Sequence, residues 1–211
     1  MNKLLIATNN KGKIEELRDL LKDTGIELLT PAQINLNLNV MEDGKTYAEN
    51  ATKKAIAFAQ ASGLVSLADD SGLEVDALDG APGLYSARYG APLSPPFSER
   101  MGGAGGGLTD ADRRAYLLQN LKDKSRPWRA RFHATIAIAI PSGETHLAEG
   151  ICEGEIIPEE RGRGGFGYDP IFLLSELGKT MAELSMDEKN RLSHRARAVM
   201  NAKAILRATF R

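Results

Sequence analysis

Residues 131–140 read Arg131-Phe-His-Ala-Thr-Ile-Ala-Ile-Ala-Ile140 (RFHATIAIAI), a run that alternates residue by residue. That is the period of a half-buried strand, whose successive side chains point to opposite faces of a sheet. Pro141-Ser142-Gly143-Glu144 is turn chemistry, and Thr145 to Ile157 returns as the partner strand, so the centre of the chain reads as one long hairpin. Working outward, Lys3 to Thr8 (KLLIAT) is a short apolar run that predicts a buried strand. Lys11 to Lys22 predicts a helix, with Ile14, Leu17, Leu20 and Leu21 at helical spacing. Thr46-Tyr47-Ala48-Glu49 opens a second helix to about Ser62, and Gly63 stops it. Its Ala48, Ala51, Ala55 and Ala59 form a small-residue stripe suited to close packing. Leu64–Ala68 and Leu73–Leu78 predict two short strands, Asp110–Leu121 a helix, and Ile171–Leu174 a late strand. Asp187 to Ala208 has a helical pattern with a break near Ser193. Helices and strands that interleave around a hairpin predict an α/β fold with a mixed β-sheet flanked by helices.

The chain has 211 residues, which allows one large domain or two small lobes. Residue 1 to residue 211 is read as a single domain, with the Pro- and Gly-rich stretch at about 92–107 as a mobile surface loop. Apolar residues make up 42% and charged residues 26%, the balance of an ordinary globular chain. With 27 basic and 28 acidic side chains the net charge is −1, which argues against a general nucleic-acid binder. Cys152 is alone, so no intrachain disulfide and no cysteine zinc site is expected. No apolar run approaches the roughly 20 residues a membrane span needs. The apolar core of the N-terminus is too short for a signal peptide, so a cytoplasmic location is expected.

Five segments carry chemistry. Thr8-Asn9-Asn10-Lys11-Gly12-Lys13 lies between the first strand and the first helix, where backbone N–H groups and the helix dipole favour a phosphate; an ordinary N-cap turn is the alternative. Asp69-Asp70-Ser71 follows an apolar strand. Paired carboxylates repel, and a hard cation such as Mg²⁺ relieves them; a plain turn is the alternative. Glu49 fits a capping box with Thr46, whereas Glu42 has no evident structural task and is the freer residue for a metal. Gly162 to Pro170 contains a literal G-x-G-x-x-G, but a strand rather than a helix follows, which rejects a dinucleotide fingerprint. A glycine-rich loop bearing Phe166, Gly167, Tyr168 and Asp169 suits a flat base instead, with Asp169 reading a ring N–H. Finally, Lys189-Asn190-Arg191-Leu192-Ser193-His194-Arg195 either starts a last helix at Ser193 or runs through as one helix capped by Ser185 and Glu188. In the first case His194 and Arg195 offer donors to an anion or a carbonyl oxygen; in the other they lie on a solvated basic face.

In this order IATNNKGK, EDGKTYAENATKKA, LADDSGLEVDALDGAPGLYSARYG, GFGYDPIF and KNRLSHRARA resemble the inosine triphosphate pyrophosphatase family, from residue 6 to about residue 198. The resemblance implies an elongated fold of two lobes with a substrate cleft between them, and a homodimer. It implies Mg²⁺-dependent hydrolysis of ITP, dITP and XTP to the monophosphate and pyrophosphate, with Mn²⁺ as a substitute metal. Carried onto this chain, Thr8, Asn9, Asn10, Lys11, Gly12 and Lys13 would hold the phosphates. Glu42 and Asp70 would hold the metal, with Asp70 also the general base. Ser71 would touch substrate, and Phe166, Gly167, Tyr168, Asp169, Lys189, His194 and Arg195 would surround the purine. The alternatives are a Maf-like pyrophosphatase of other base specificity, which should lack FGYDP and SHR, and a nucleotide sensor without turnover.

Overall fold

The computed structural model describes residues 2–90 and 108–210, so the expected loop at 92–107 lies outside the described residues. Among the described residues, seven strands form one mixed sheet in the order β2-β1-β3-β4-β5-β6-β7. They are β1 (Lys3–Ile6), β2 (Glu27–Leu29), β3 (Val65–Val75), β4 (Trp128–Ala139), β5 (Thr145–Ile156), β6 (Phe172–Leu174) and β7 (Lys179–Thr180). β1 runs parallel to β2 and β3, whereas β6 is antiparallel to β5 and β7. The α-helices of the described residues are α1 (Lys11–Leu21), α2 (Tyr47–Ser62), α3 (Asp110–Leu121), α4 (Met186–Leu192) and α5 (His194–Thr209).

The chain divides into two compact units. The first comprises Met1–Ser71, Phe132–Cys152 and Ser185–Arg211. Its strands alternate strictly. Leu4, Ile6, Leu67, Ala134, Ile136 and Ile138 pack beneath α1 and α5, while Leu5, Ala7, Ala68, Ala137 and Ala139 pack against Ala51, Ala55, Phe58 and Ala59 of α2. Ala51, Ala55 and Ala59 of the alanine stripe read from the sequence are therefore the seam between α2 and the sheet, whereas Ala48 is only half-buried. Gly150 on β5 is required by close approach: a Cβ there would stand 2.2 Å from the His194 carbonyl and 2.3 Å from the Ala198 nitrogen. The second unit, Gly72–Arg131 with Glu153–Leu184, holds α3, β6, β7 and the glycine-rich loop.

One reading of the strands changes. Leu64–Ala68 and Leu73–Leu78 are not two strands with a turn between them; Val65–Val75 is one strand, and Asp69, Asp70, Ser71 and Gly72 lie in its middle. Carboxylates and glycine disfavour strands, but here each carboxylate has tertiary partners that compensate it. The last helical stretch is broken, as Ser193 ends α4 and its side chain accepts from Ala196 N–H to begin α5. The Ser185–Glu188 capping box is present as well, but it opens only the short α4; no helix runs through Ser193, and His194 and Arg195 are buried rather than on a solvated face. The short strands β2 and β7 gave too little pattern to be read from sequence.

Candidate functional site

In a strand, residues 67, 69 and 71 face one way and 68 and 70 the other. Asp69 therefore points to the side of α1 and α5, and Asp70 to the side of α2. On the first side a chain of alternating charges is buried. Lys13 Nζ donates to Asp69 Oδ1 at 2.7 Å, and Arg195 Nε donates to Asp69 Oδ2 at 2.6 Å. Arg195 also donates to Glu16 and, at 3.0 Å, to Ser71 Oγ, while Lys189 Nζ lies 2.6 Å from Glu16. Burial by itself would raise the Asp69 carboxyl, but Arg195 and Lys13 hold it well below the usual carboxylate range. Glu16 is likewise opposed by burial and yet brought down to about 2 by Arg195 and Lys189. Burial lowers the Lys13 ammonium, with Arg195 and Lys54 adding to the effect and Asp69 resisting it.

The other face of β3 is less compensated. Asn50 Nδ2 donates to Asp70 Oδ2 at 3.1 Å, and Asn50 Oδ1 accepts from Gly44 N–H at 2.8 Å. Burial raises the Asp70 carboxyl; Lys54, Lys13 and the Asn50 hydrogen bond act against that, and Glu42 adds to it. Glu42, read from the sequence as free of structural work, is paired with Lys54 at 2.7 Å. Lys54 also donates to the Asp69 carbonyl at 3.0 Å, so one lysine joins the Glu42 turn to β3. Thr46 caps α2 by accepting from Glu49 N–H, but the Glu49 carboxylate accepts from Lys45 N–H at 2.7 Å rather than from the Thr46 N–H, so the reciprocal half of the expected capping box is shifted by one residue.

Between β1 and α1, Asn10 is the N-cap. Its Oδ1 accepts from Lys13 N–H at 3.1 Å, and Thr8 Oγ1 accepts from Asn10 N–H at 3.2 Å. The first turn of α1 carries no acidic side chain, so its positive end is uncompensated. Asn9, Asn10 and Lys11 are exposed around it.

His194 stacks on Phe132, with ring centroids 4.7 Å apart and planes 16° from parallel. Burial, aided by Arg195, lowers it to about 3, so its ring is neutral near pH 7. Its Nδ1 is buried without a hydrogen-bond partner among the described residues. Arg195, expected as a donor to a ligand carbonyl, instead has all three guanidinium nitrogens donating to Asp69, Glu16 and Ser71.

In the second unit, two side chains of the glycine-rich loop are tied down within that unit. Asp169 Oδ2 accepts from Phe166 N–H at 2.9 Å, and the Tyr168 hydroxyl donates to the Ser86 carbonyl at 2.9 Å. Tyr168 is buried, so of the two aromatic rings expected to meet a base only Phe166 is even half-exposed.

Asn50, Lys54 and Glu16 escaped the sequence reading. Asn50 and Lys54 are four apart on α2 and each precedes a buried alanine. Glu16 is four residues before Leu20 on the apolar side of α1. A polar residue in register with a core stripe was the available signal. Asp70 and Glu42 offer two hard oxygen ligands, and Asp70's raised carboxyl, with Glu42 contributing, marks a site where added positive charge is favourable. Among the described residues no group of three or more His, Cys, Asp or Glu side chains could cage an ion. The donor set thus fits an ion such as Mg²⁺, which takes one or two carboxylates and completes its shell with water and phosphate oxygens.

Comparison with known proteins gives a consistent result. The chain is 47% identical over 209 residues to a dITP/XTP pyrophosphatase of Desulforamulus reducens, covering 99% of this chain and 97% of that protein. It is 42% identical to the dITP/XTP pyrophosphatase of Bacillus subtilis, covering 99% and 98%. Among solved structures, the Staphylococcus aureus Ham1 protein superposes with a TM-score of 0.80 at 37% identity, covering 99% of this chain and all of that one. A HAM1 protein from Coxiella burnetii gives 0.82 at 36%, with the same coverage. The model of the Ham1 family matches residues 4–205, and with relatives this similar over nearly their whole length the chain belongs to that family.

Proposed function

We infer that this protein is a nucleoside-triphosphate pyrophosphatase that hydrolyses non-standard purine nucleotides, dITP, XTP and ITP, to the monophosphate and pyrophosphate. The dITP/XTP pyrophosphatases to which it is 47% and 42% identical support the reaction class. The observation that carries the chemistry is Asp70, a buried carboxylate raised by its surroundings and oriented by Asn50.

In this reading the backbone and side chains of Thr8 to Lys13 receive the phosphates at the open end of α1. Asn50 occupies Asp70 Oδ2, which leaves Oδ1 to accept the proton of a water directed at the α-phosphorus. The water oxygen bonds to that phosphorus as the bond to the β-phosphate bridging oxygen breaks, and pyrophosphate leaves. Glu42 and Asp70 would hold Mg²⁺, or Mn²⁺, which supplies charge neutralisation for the leaving group. Lys54 and Lys13 add fixed positive charge beside Asp70. Lys189 and His194 are assigned to the purine, as are Phe166, Gly167, Tyr168 and Asp169 on their residue chemistry. Arg195 serves by holding Ser71 and Asp69 in place. Hypoxanthine and xanthine carry an acceptor at O6 where adenine carries a donor. A site that donates there leaves adenine unpaired, and a buried unpaired group can discriminate by about 10⁴.

We also place the protein in the cytoplasm as a homodimer. Among the described residues no helix is long and apolar enough to cross a membrane, and Cys152 is a buried cysteine in no disulfide. Pyrophosphate release measured over a panel of purine and pyrimidine triphosphates, with Mg²⁺ and with excess chelator, tests the whole reading. Rates highest for dITP, XTP and ITP, and abolished by chelator, are expected. Equal rates on all bases would overturn the specificity, and full turnover in chelator would overturn the metal role. Sedimentation equilibrium tests the dimer.

A further inference from the structure

We propose that the first turn of α3 positions the glycine-rich loop: Asp110 and Arg114 hold the Gly167 backbone at its N–H and its C=O, and so fix where Phe166 stands. Gly167 N–H donates to Asp110 Oδ2 at 2.7 Å, and Arg114 Nη1 donates to the Gly167 carbonyl at 2.8 Å. Residues 110 and 114 are one helical turn apart and share a face, which is the spacing needed to reach both polar groups of one residue. Gly167 has φ +62°, a left-handed conformation, so the loop reverses here without the restraint a side chain would impose. Arg114 is itself oriented. Its Nε and Nη2 donate to the two carboxylate oxygens of Glu160 at 2.8 and 2.9 Å. Thr109 and Asp112 close a capping box at the start of the same helix.

The bonds inside the loop do not accomplish this. Asp169 ties back to Phe166 N–H, and the Tyr168 hydroxyl is anchored on the Ser86 carbonyl. Neither reaches the Gly167 N–H or carbonyl. Asp110 and Arg114 are therefore positioning residues. They touch no reacting atom, and they act through the residue that follows Phe166. The proposal rests on the reading that this loop meets the purine.

The test uses the full chain with Mg²⁺ and follows pyrophosphate release from dITP. Asp110→Ala and Arg114→Met should each raise KM about threefold to tenfold, the weight of one hydrogen bond, with kcat changed less than about twofold. Asp110→Asn loses the charge pair with Arg113 but keeps an oxygen acceptor for Gly167, and should hold KM within about twofold of the parent. Glu160→Gln, which weakens only the support of Arg114, should do the same. A purely stabilising role for Asp110 in helix α3 predicts no such difference, with Asn and Ala equally impaired in melting temperature and unselective between KM and kcat; that result overturns the proposal. Phe166→Ala separates the two levels. If it raises KM while Asp110→Ala and Arg114→Met do not, the clamp is wrong and the loop's role stands. If Phe166→Ala leaves KM unchanged, the loop does not meet the base and the clamp falls with it. Should Arg114→Met not fold, the Asp110→Asn and Asp110→Ala pair decides.

Discussion

On the α1 and α5 side of β3, Asp69 meets Lys13 at 2.7 Å and Arg195 at 2.6 Å, and its charge is fully matched. On the α2 side, Asp70 receives a neutral amide at 3.1 Å and is raised by burial. The two residues are adjacent in sequence, of one type, and both buried. They differ only in which helices cover their face of the strand. Strong ion pairing fixes a carboxylate as a structural anchor and disfavours its taking up a proton. Weak pairing leaves a carboxylate able to take a proton or a metal. The same strand thus provides one anchor and one reactive group, and alternation along the strand keeps them apart.

The largest effect should come from breaking the anchored side. Glu16→Gln leaves Lys189 and Arg195 buried without their shared carboxylate, and removing one partner from a buried pair costs about 3–5 kcal/mol. Denaturant unfolding should show a loss of that order; a change below about 1 kcal/mol would mean the chain of charges does not hold the fold. Asp69→Asn should behave in the same way. Next, Asp70→Asn should leave the unfolding midpoint nearly unchanged and lower kcat at least about 10²-fold, equivalent to about 2.7 kcal/mol. Near-normal turnover in Asp70→Asn, together with lost turnover in a folded Asp69→Asn, would reverse the roles given to the two aspartates.

A third prediction concerns pH. The folded-state pKa of His194 is depressed to about 3 by burial, below its unfolded value. The unfolded chain therefore binds this proton first, and the stability contributed by the neutral ring is complete above about pH 6.5 and lost as pH falls towards 3. Between pH 6.5 and 5 the stability should decline by roughly 1 kcal/mol per pH unit on this account. His194→Gln should flatten that slope in melting curves; an unchanged slope would assign it to other groups. The smallest effect is expected at the surface. Lys203 pairs with the largely exposed Asp23 at 2.7 Å, and Lys203→Ala should cost under about 1 kcal/mol, with less effect still at high salt. A loss as large as that of Glu16→Gln would show that burial is not what separates these pairs.

Much of the fold could be read from the chain. The alternation at 131–140, the i, i+3, i+4 pattern of α1 and the Thr46 and Gly63 ends of α2 are local signals, each set by a period or a cap within a few residues. The order of the five motifs also carried the family. What the chain could not show was the continuity of β3 through Asp69-Asp70-Ser71-Gly72. Four residues of poor strand propensity read as a turn unless the cations that compensate them are known, and Lys13, Lys54 and Arg195 lie between 15 and 126 positions away. The commitments of Arg195 and Glu42 were hidden for the same reason. A donor or acceptor looks free in sequence, and only packing decides which partner occupies it. Sequence determined the elements, because periodicity and capping act over one or two turns. Tertiary structure decided which of two adjacent carboxylates is anchored and which is reactive, because that depends on charges brought within about 3 Å by helices far apart in the chain.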